Sequence, residues 1–407
     1  MKNIVFVSVC ALLLSACSTP SNRLRNGLWR GELRIVEGKA APFLFEVENT
    51  ASDSAVLTLI NGEERVPLTG ICYAGDTVFI PVEAYDAVLQ AQVKGGVLEG
   101  RFIRHYIEGD TGVLFTARRG AHPRFAAAKH SAKANIAGTW DVLFLSKGDT
   151  AHNVSIFSVD GQTVTGSILT NGGDLRYLEG AYTDAGVQLS AFSGRSPYLV
   201  EIDFTTDSTF EGALYTARGK TPFTGRRNPQ AALADAYSLT TLKKGSSRLS
   251  FRLPNTEGTL VSLADARYKG KAVVVSILGT WCPNCLDETA YLANWYKANR
   301  SRGVEIVGLA FEGKDDFDYA KSAINRLKAR YGVEYEILFA GKAGSKAAAT
   351  VLPELTRLTT YPTTIFVNRQ GRVVKIHTGF SGPATGAYYE AFQRKFNAEI
   401  DALLSNE

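Results

Sequence analysis

Two rhythms of apolar and polar positions divide the chain. From Gly27 to Asn228 the period is two: Phe43, Phe45 and Val47 alternate with Leu44, Glu46 and Glu48. Such alternation marks strands with one buried face. Asn61-Gly62 and Asn171-Gly172 punctuate it as hairpin-turn signals, because both central positions of that turn favour positive φ. From about Ser247 the rhythm changes. Continuous apolar runs, Ala272 to Leu278 and Val304 to Leu309, alternate with helical stretches from Pro283 to Ser301 and from Asp315 to Arg330. A short strand from Ile337 to Ala340 follows. A hairpin of Thr364 to Val367 and Val373 to Ile376, turning on Gln370-Gly371, precedes a last helix from about Ala387 to Leu404. Apolar strands alternating with helices predict a mostly parallel sheet covered on both faces.

The strand-rich part repeats itself. Gly27-Leu28-Trp29 recurs as Gly138-Thr139-Trp140, Leu59-Ile60-Asn61-Gly62 as Leu169-Thr170-Asn171-Gly172, and Leu68-Thr69-Gly70 as Leu178-Glu179-Gly180. Leu98-Glu99-Gly100 recurs as Phe210-Glu211-Gly212, and Phe115-Thr116-Ala117-Arg118-Arg119 as Phe223-Thr224-Gly225-Arg226-Arg227. The order is kept and the offsets are similar, which predicts a duplicated β-domain, 27–119 and 136–228, rather than a solenoid. Each copy opens on Gly-x-Trp and closes on two Arg. This resembles the calycin (lipocalin-like) barrels, in which the early Trp packs under a basic side chain of the last strand; a cation over an indole face would plug a small barrel. The same tripeptides also fit the first strand of a β-sandwich, so barrel and sandwich both remain open. Residues 120–135 and 228–246 read as linkers, and 247–407 as a third domain.

The start of the chain changes where this body is expected to work. Met1-Lys2-Asn3 is a short positive head, Ile4 to Leu14 is apolar, and Ser15-Ala16-Cys17 supplies small residues at a cleavage point. The run is too short to span a bilayer. Leu14-Ser15-Ala16-Cys17 resembles the bacterial lipobox, which implies that residues 1–17 are a lipoprotein signal and that Cys17 carries the lipid. A plain secretory signal is the alternative. Acyl chains would tether the body without spanning the membrane. Ser18 rather than an acidic residue follows Cys17, which by resemblance to Gram-negative sorting favours the periplasmic face of the outer membrane. The net charge of +5 over 407 residues is spread along the chain, so no nucleic-acid partner is expected.

Of five cysteines, Cys10 leaves with the signal and Cys17 takes the lipid. Cys72, in the apolar run Gly70 to Tyr73, is expected to be a buried small hydrophobe. Cys282 and Cys285 remain. Trp281-Cys282-Pro283-Asn284-Cys285 follows a buried strand and opens a helix. A helix N-terminus stabilises the thiolate that attacks disulfides. Pro283 fits the first turn, and two intervening residues put both sulfurs on one face within bridging distance. Cys282 is then the attacking thiol and Cys285 the resolving one. A structural zinc would need four ligands; there is no second pair, and His105, His122, His130, His152 and His377 lack ligand spacing, so neither metal nor cofactor is expected.

These residues resemble the thioredoxin superfamily and, within it, the TlpA/ResA-like group of exported, membrane-attached thiol–disulfide oxidoreductases. The resemblance runs from about Ser247 to Leu404 and rests on Val273 to Cys285, Gly303 to Gly308 and Tyr361 to Val367. It implies an α/β thioredoxin fold after two all-β domains. It implies that Pro362 is the family's cis-proline, and that Tyr361, Trp281 and Pro283 meet the substrate segment. Cytoplasmic thioredoxins carry a buried Asp six residues before the first Cys, where this chain has Ser276; the TlpA/ResA-like group uses a Glu three residues after the second, here Glu288. If buried, Glu288 could take the proton of Cys285, with Asp287 as a solvated neighbour. Trp295 and Tyr296 read as packing, and Asp315-Asp316 as a helix start.

The expected activity is reduction of disulfides in extracytoplasmic proteins, re-reduced by a membrane thiol donor, with apocytochrome maturation among the tasks the resemblance implies. A dithiol oxidase or isomerase would share every residue named. A thiol peroxidase would carry its nucleophile in a Thr-x-x-Cys loop, which Gly279-Thr280-Trp281-Cys282 resembles only superficially. A ligand-binding lipoprotein with an auxiliary thioredoxin domain would need a lined cavity within residues 27–228.

Overall fold

The computed structural model describes residues 22–405, apart from 37, 52–53, 108, 130–133 and 147–148. The expected signal segment with Cys17, and also His130, lie outside the described residues.

The alternating first part forms curled antiparallel sheets. In the first, Gly27–Val36 pairs with its successor Lys39–Glu48 and with the last strand, Val113–Arg119. The curl does not close into a ring, because Glu64–Leu68 and Cys72–Ala74, neighbours in the chain, form the two edges of the sheet. In the second, Asp149–Asp160 pairs with Gly138–Ser146 and with Thr163–Thr170, while Gly219–Arg227 returns to Gly138–Ser146. That ring is closed. The two sheets are therefore a half-barrel and a barrel, not a sandwich.

Side chains fill both interiors. In the barrel Trp140 lies 4.7 Å from Phe210 between ring centroids, and Phe210 6.1 Å from Phe223. The Arg227 guanidinium lies 4.3 Å over the Trp140 ring, and Trp140 Nε1 donates to the Ile136 carbonyl at 2.8 Å. In the half-barrel Trp29 faces Arg119 in register, and its Nε1 donates to the Arg25 carbonyl at 3.0 Å. The open ring is plugged from outside. Phe192 of the barrel enters the half-barrel core, 4.9 Å from Phe43 and 5.1 Å from Phe102, and is fully buried. Its backbone N–H and carbonyl are both paired with the Asn61 side-chain amide.

Both Asn-Gly pairs do mark hairpins, closed by the pairs Asn61–Glu64 and Thr170–Gly173, but neither Asn61 nor Asn171 takes positive φ; Gly62 and Gly173 do. Two expectations need correction here. Cys72 is exposed, since its strand is an edge of the open ring. The stretch 120–135 is more than a linker: Arg124 is buried and donates to the carbonyls of Pro42 and Ile60 and to Ser190 Oγ, joining the two sheets.

The C-terminal domain is thioredoxin-like. Its five-stranded sheet runs Glu336–Lys342, Val304–Glu312, Ala272–Leu278, Thr363–Val367, Val373–Thr378. The first two pairings are parallel and the last two antiparallel, so the sheet is mixed rather than mostly parallel. Helices α1 (Pro283–Asn299), α2 (Phe317–Tyr331), α3 (Ser345–Val351) and α4 (Ala387–Ser405) flank it. Asp316 caps α2, accepting from the Tyr319 N–H at 2.9 Å. The short α3 and a small hairpin of Arg252–Pro254 with Leu260–Ser262 were not anticipated from the pattern. Both are too brief to set up a period. Half-barrel and thioredoxin-like domain share one continuous apolar cluster, in which Phe43, Phe192, Leu286 and Trp295 all take part.

Candidate redox site

Strand Ala272–Leu278 is buried along its whole length at the middle of the sheet and delivers the chain to the start of α1. Cys282 is the N-cap of α1, with Pro283 in its first turn. The Cys285 N–H donates to Cys282 Sγ at 3.3 Å, so the helix end presents a backbone donor to the sulfur. The two cysteines are joined in a disulfide with Cα atoms 5.2 Å apart. Cys285 is fully buried, while Cys282 keeps 6% of its surface. Cys282, expected to be exposed, is thus nearly buried, though it is the more accessible of the two.

The peptide bond between Tyr361 and Pro362 is cis, and the Tyr361 carbonyl oxygen lies 3.6 Å from Cys282 Sγ. Trp281 stands edge-on to Tyr361 at 5.6 Å and donates through Nε1 to the Phe311 carbonyl at 2.8 Å. Trp281, Pro283, Tyr361 and Pro362 thus lie around one sulfur.

Glu288 is buried. Its carboxylate accepts from Ser276 Oγ at 2.9 Å and from Thr364 Oγ1 at 2.6 Å. Burial pushes the carboxyl up to about 7, against the lowering pull of those two hydroxyls. Ser276, the position at which cytoplasmic thioredoxins carry their Asp, is therefore in contact with a carboxylate after all, supplied by α1. Burial likewise raises Glu312, which accepts from the Thr280 N–H at 3.1 Å and Thr280 Oγ1 at 2.7 Å.

Asp287 is not the solvated neighbour expected. Burial raises its carboxyl to about 6, and its partner is Arg176 of the barrel, whose Nη1 donates to it at 2.5 Å. Arg176 Nη1 also donates to the Pro283 carbonyl at 3.1 Å, and its Nε to Glu64 of the half-barrel at 3.0 Å. Burial works against the guanidinium's charge, but Asp287 and Glu64 outweigh it and hold the group protonated. Arg176 adopts φ 57°, a left-handed conformation costing a residue with a side chain roughly 1–2 kcal/mol. Those ionic contacts offset it. Beside it, Asn284 Nδ2 donates to the Asp174 carbonyl at 3.2 Å, and the Asp174 carboxylate accepts from the Gly382 N–H at 2.7 Å. Arg195, also from the barrel, lies 5.2 Å over the Trp281 ring and 4.6 Å over Tyr106. Sequence reasoning missed Arg176, Arg195 and Glu312, because nothing local distinguishes them from solvated charges. No group of His, Cys, Asp and Glu among the described residues could hold a metal ion.

The Redoxin family matches residues 243–391. A thiol–disulfide oxidoreductase ResA from Bacillus subtilis is 34% identical over 138 residues, covering 34% of this chain and 69% of that protein. The ResA of Halalkalibacterium halodurans is 28% identical over 137 residues, again covering 34% and 69%. Among solved structures, a thiol:disulfide interchange protein of the thioredoxin family from Chlorobium tepidum is 21% identical. It covers 40% of this chain and 100% of that one, at a TM-score of 0.30.

Proposed function

Since its C-terminal domain makes this chain a member of the ResA family of thiol–disulfide oxidoreductases, we propose that it is an exported, lipid-anchored reductase of disulfides in extracytoplasmic proteins. The observation that carries the reading is the Cys282–Cys285 disulfide at the N-terminus of α1, with the buried Glu288 three residues on in the same helix and the Tyr361 carbonyl beside Cys282 Sγ. In the reduced protein the Cys282 thiolate attacks one sulfur of the substrate disulfide, forms a mixed disulfide and releases the first substrate thiolate. Glu288 takes the proton of Cys285, and that thiolate attacks Cys282 and releases the second. Two electrons pass to the substrate, and the protein is left oxidised at Cys282–Cys285. A membrane thiol donor returns them. Trp281, Pro283, Tyr361 and Pro362 form the surface that receives the substrate segment.

Lipid on Cys17 would tether the body at the periplasmic side, with the outer membrane favoured; among the described residues no helix is long and apolar enough to cross a membrane. Two β-domains, 27–119 and 136–228, precede the catalytic domain at 247–407 and serve to recruit or position the partner. Their descent from one duplicated calycin-like unit is supported by the Trp29–Arg119 and Trp140–Arg227 register pairs. The packed barrel interior disfavours a ligand carrier.

The test is the reduction potential of the pair, measured in defined glutathione buffers on protein without its lipid, with Cys282→Ser as control. A reversible two-electron couple near about −250 mV or lower supports a reductase. A value near about −120 mV would make the protein an oxidant, and the absence of any couple would remove the redox reading.

A further inference from the structure

We propose that Arg176, on the barrel's turn between Thr163–Thr170 and Leu178–Thr183, sets the redox poise of the Cys282–Cys285 pair by holding a positive charge against the first turns of α1. The inference rests on the redox reading above. It concerns how a residue outside the thioredoxin-like domain acts on that pair.

The two residues between the cysteines are both held by this barrel turn. The Pro283 carbonyl accepts from Arg176 at 3.1 Å, and Asn284 donates to the Asp174 carbonyl at 3.2 Å. The approach is so close that a Cβ on Gly173 would come within 2.0 Å of Asn284 Nδ2. Glycine is required there. Charge is the second part of the argument. Asp287 lies two residues beyond Cys285, and Glu64 reaches the same guanidinium from the half-barrel. Two carboxylates beside this helix terminus oppose a thiolate at Cys282. Arg176 lies between them with 14% of its side chain exposed, where solvent screens charge only in part. Oxidised and reduced proteins differ by that thiolate, so a cation that stabilises it stabilises the reduced form and raises the potential. Arg176 is a positioning residue in this scheme: it touches the helix, not the reacting sulfur.

The experiment equilibrates the full-length body without its lipid with glutathione buffers at pH 7.5 and, on the reduced protein freed of glutathione, reads the Cys282 thiol pKa from alkylation rates across a series of pH values. Arg176→Met is expected to shift the equilibrium roughly tenfold toward the disulfide, a fall of about 30 mV, and to raise the thiol pKa. Asp287→Asn should move both readings the opposite way. Arg176→Lys, which keeps the charge and loses the planar fork, should stay within about twofold of the parent. The double variant Arg176→Met/Asp287→Asn should return toward it. Unchanged potential and thiol pKa in Asp287→Asn, or a shift in Arg176→Lys as large as in Arg176→Met, overturns the proposal. If Arg176→Met does not fold, Asp287→Asn and Arg176→Lys are read against the parent: an unmoved Asp287→Asn, or a shift in Arg176→Lys of about tenfold, overturns the proposal. A parent protein without a reversible couple sinks the redox reading itself; a parent with one whose variants do not move sinks only the role of Arg176.

Discussion

Glu288 links the chemistry to stability. Its carboxyl titrates at about 7 in the folded chain, raised by burial from the ordinary 4.5. The folded state therefore binds the proton more tightly than the unfolded one between those values. Stability contributed by the protonated form is complete below about pH 4.5 and is lost as pH rises toward 7. Glu288→Gln should flatten that part of the pH–stability curve by roughly 3 kcal/mol, read from urea denaturation at a series of pH values. Asp287 titrates in the same direction in a lower window, up to about pH 6, so a residual slope there is expected in the variant. In single-turnover exchange the same substitution should slow release of the mixed disulfide by roughly 10²–10⁴-fold at neutral pH. An unchanged rate would leave Glu288 with a structural role alone. The two cysteines, Pro362 and Glu288 could be read from the sequence because short spacing on one helix, or one motif, carries their geometry. Arg176 could not: its partners lie 107 to 112 residues away, and an Arg beside a turn reads as solvated until the fold is known.

At the scale of elements, the half-barrel depends on a side chain it does not own. A curled sheet with two unpaired edges leaves its interior partly uncovered, and Phe192 supplies the missing wall. Truncation to Phe192→Ala removes a fully buried ring from contact with Phe43 and Phe102. A loss of about 3–5 kcal/mol in unfolding free energy is expected, measured by urea denaturation. A loss below about 1 kcal/mol would mean that the half-barrel closes on its own. The period-two alternation made the strands legible, and the paired Trp and Arg positions made the pairing of first and last strands guessable. What the pattern could not tell was which ring stays open. That depends on strand pairing between distant segments, and both sheets offer similar apolar faces. Cys72 was misread for the same reason: its apolar neighbours resemble those of an inner strand, yet its strand lies at an edge.

At the scale of the whole molecule, the half-barrel, Phe192 and the thioredoxin-like domain belong to one apolar cluster. Arg124 and Arg176 add buried polar ties between the sheets and across to α1. Thermal unfolding followed by calorimetry and by fluorescence near the redox pair is therefore expected to give coincident transitions. Separate transitions would show that the apolar cluster does not couple these parts.

Only 6% of Cys282 meets solvent, with Tyr361 on one side and the barrel's turn across the adjoining dipeptide. A sulfur that opens this disulfide has to line up behind the Cys282–Cys285 bond, so the width of that approach lane decides who can react. A slack, extended loop can thread such a lane, whereas a broad rigid surface stalls outside it. Partner choice would then be made by shape and slackness at the entrance, before any difference in electron affinity between donor and acceptor comes into play.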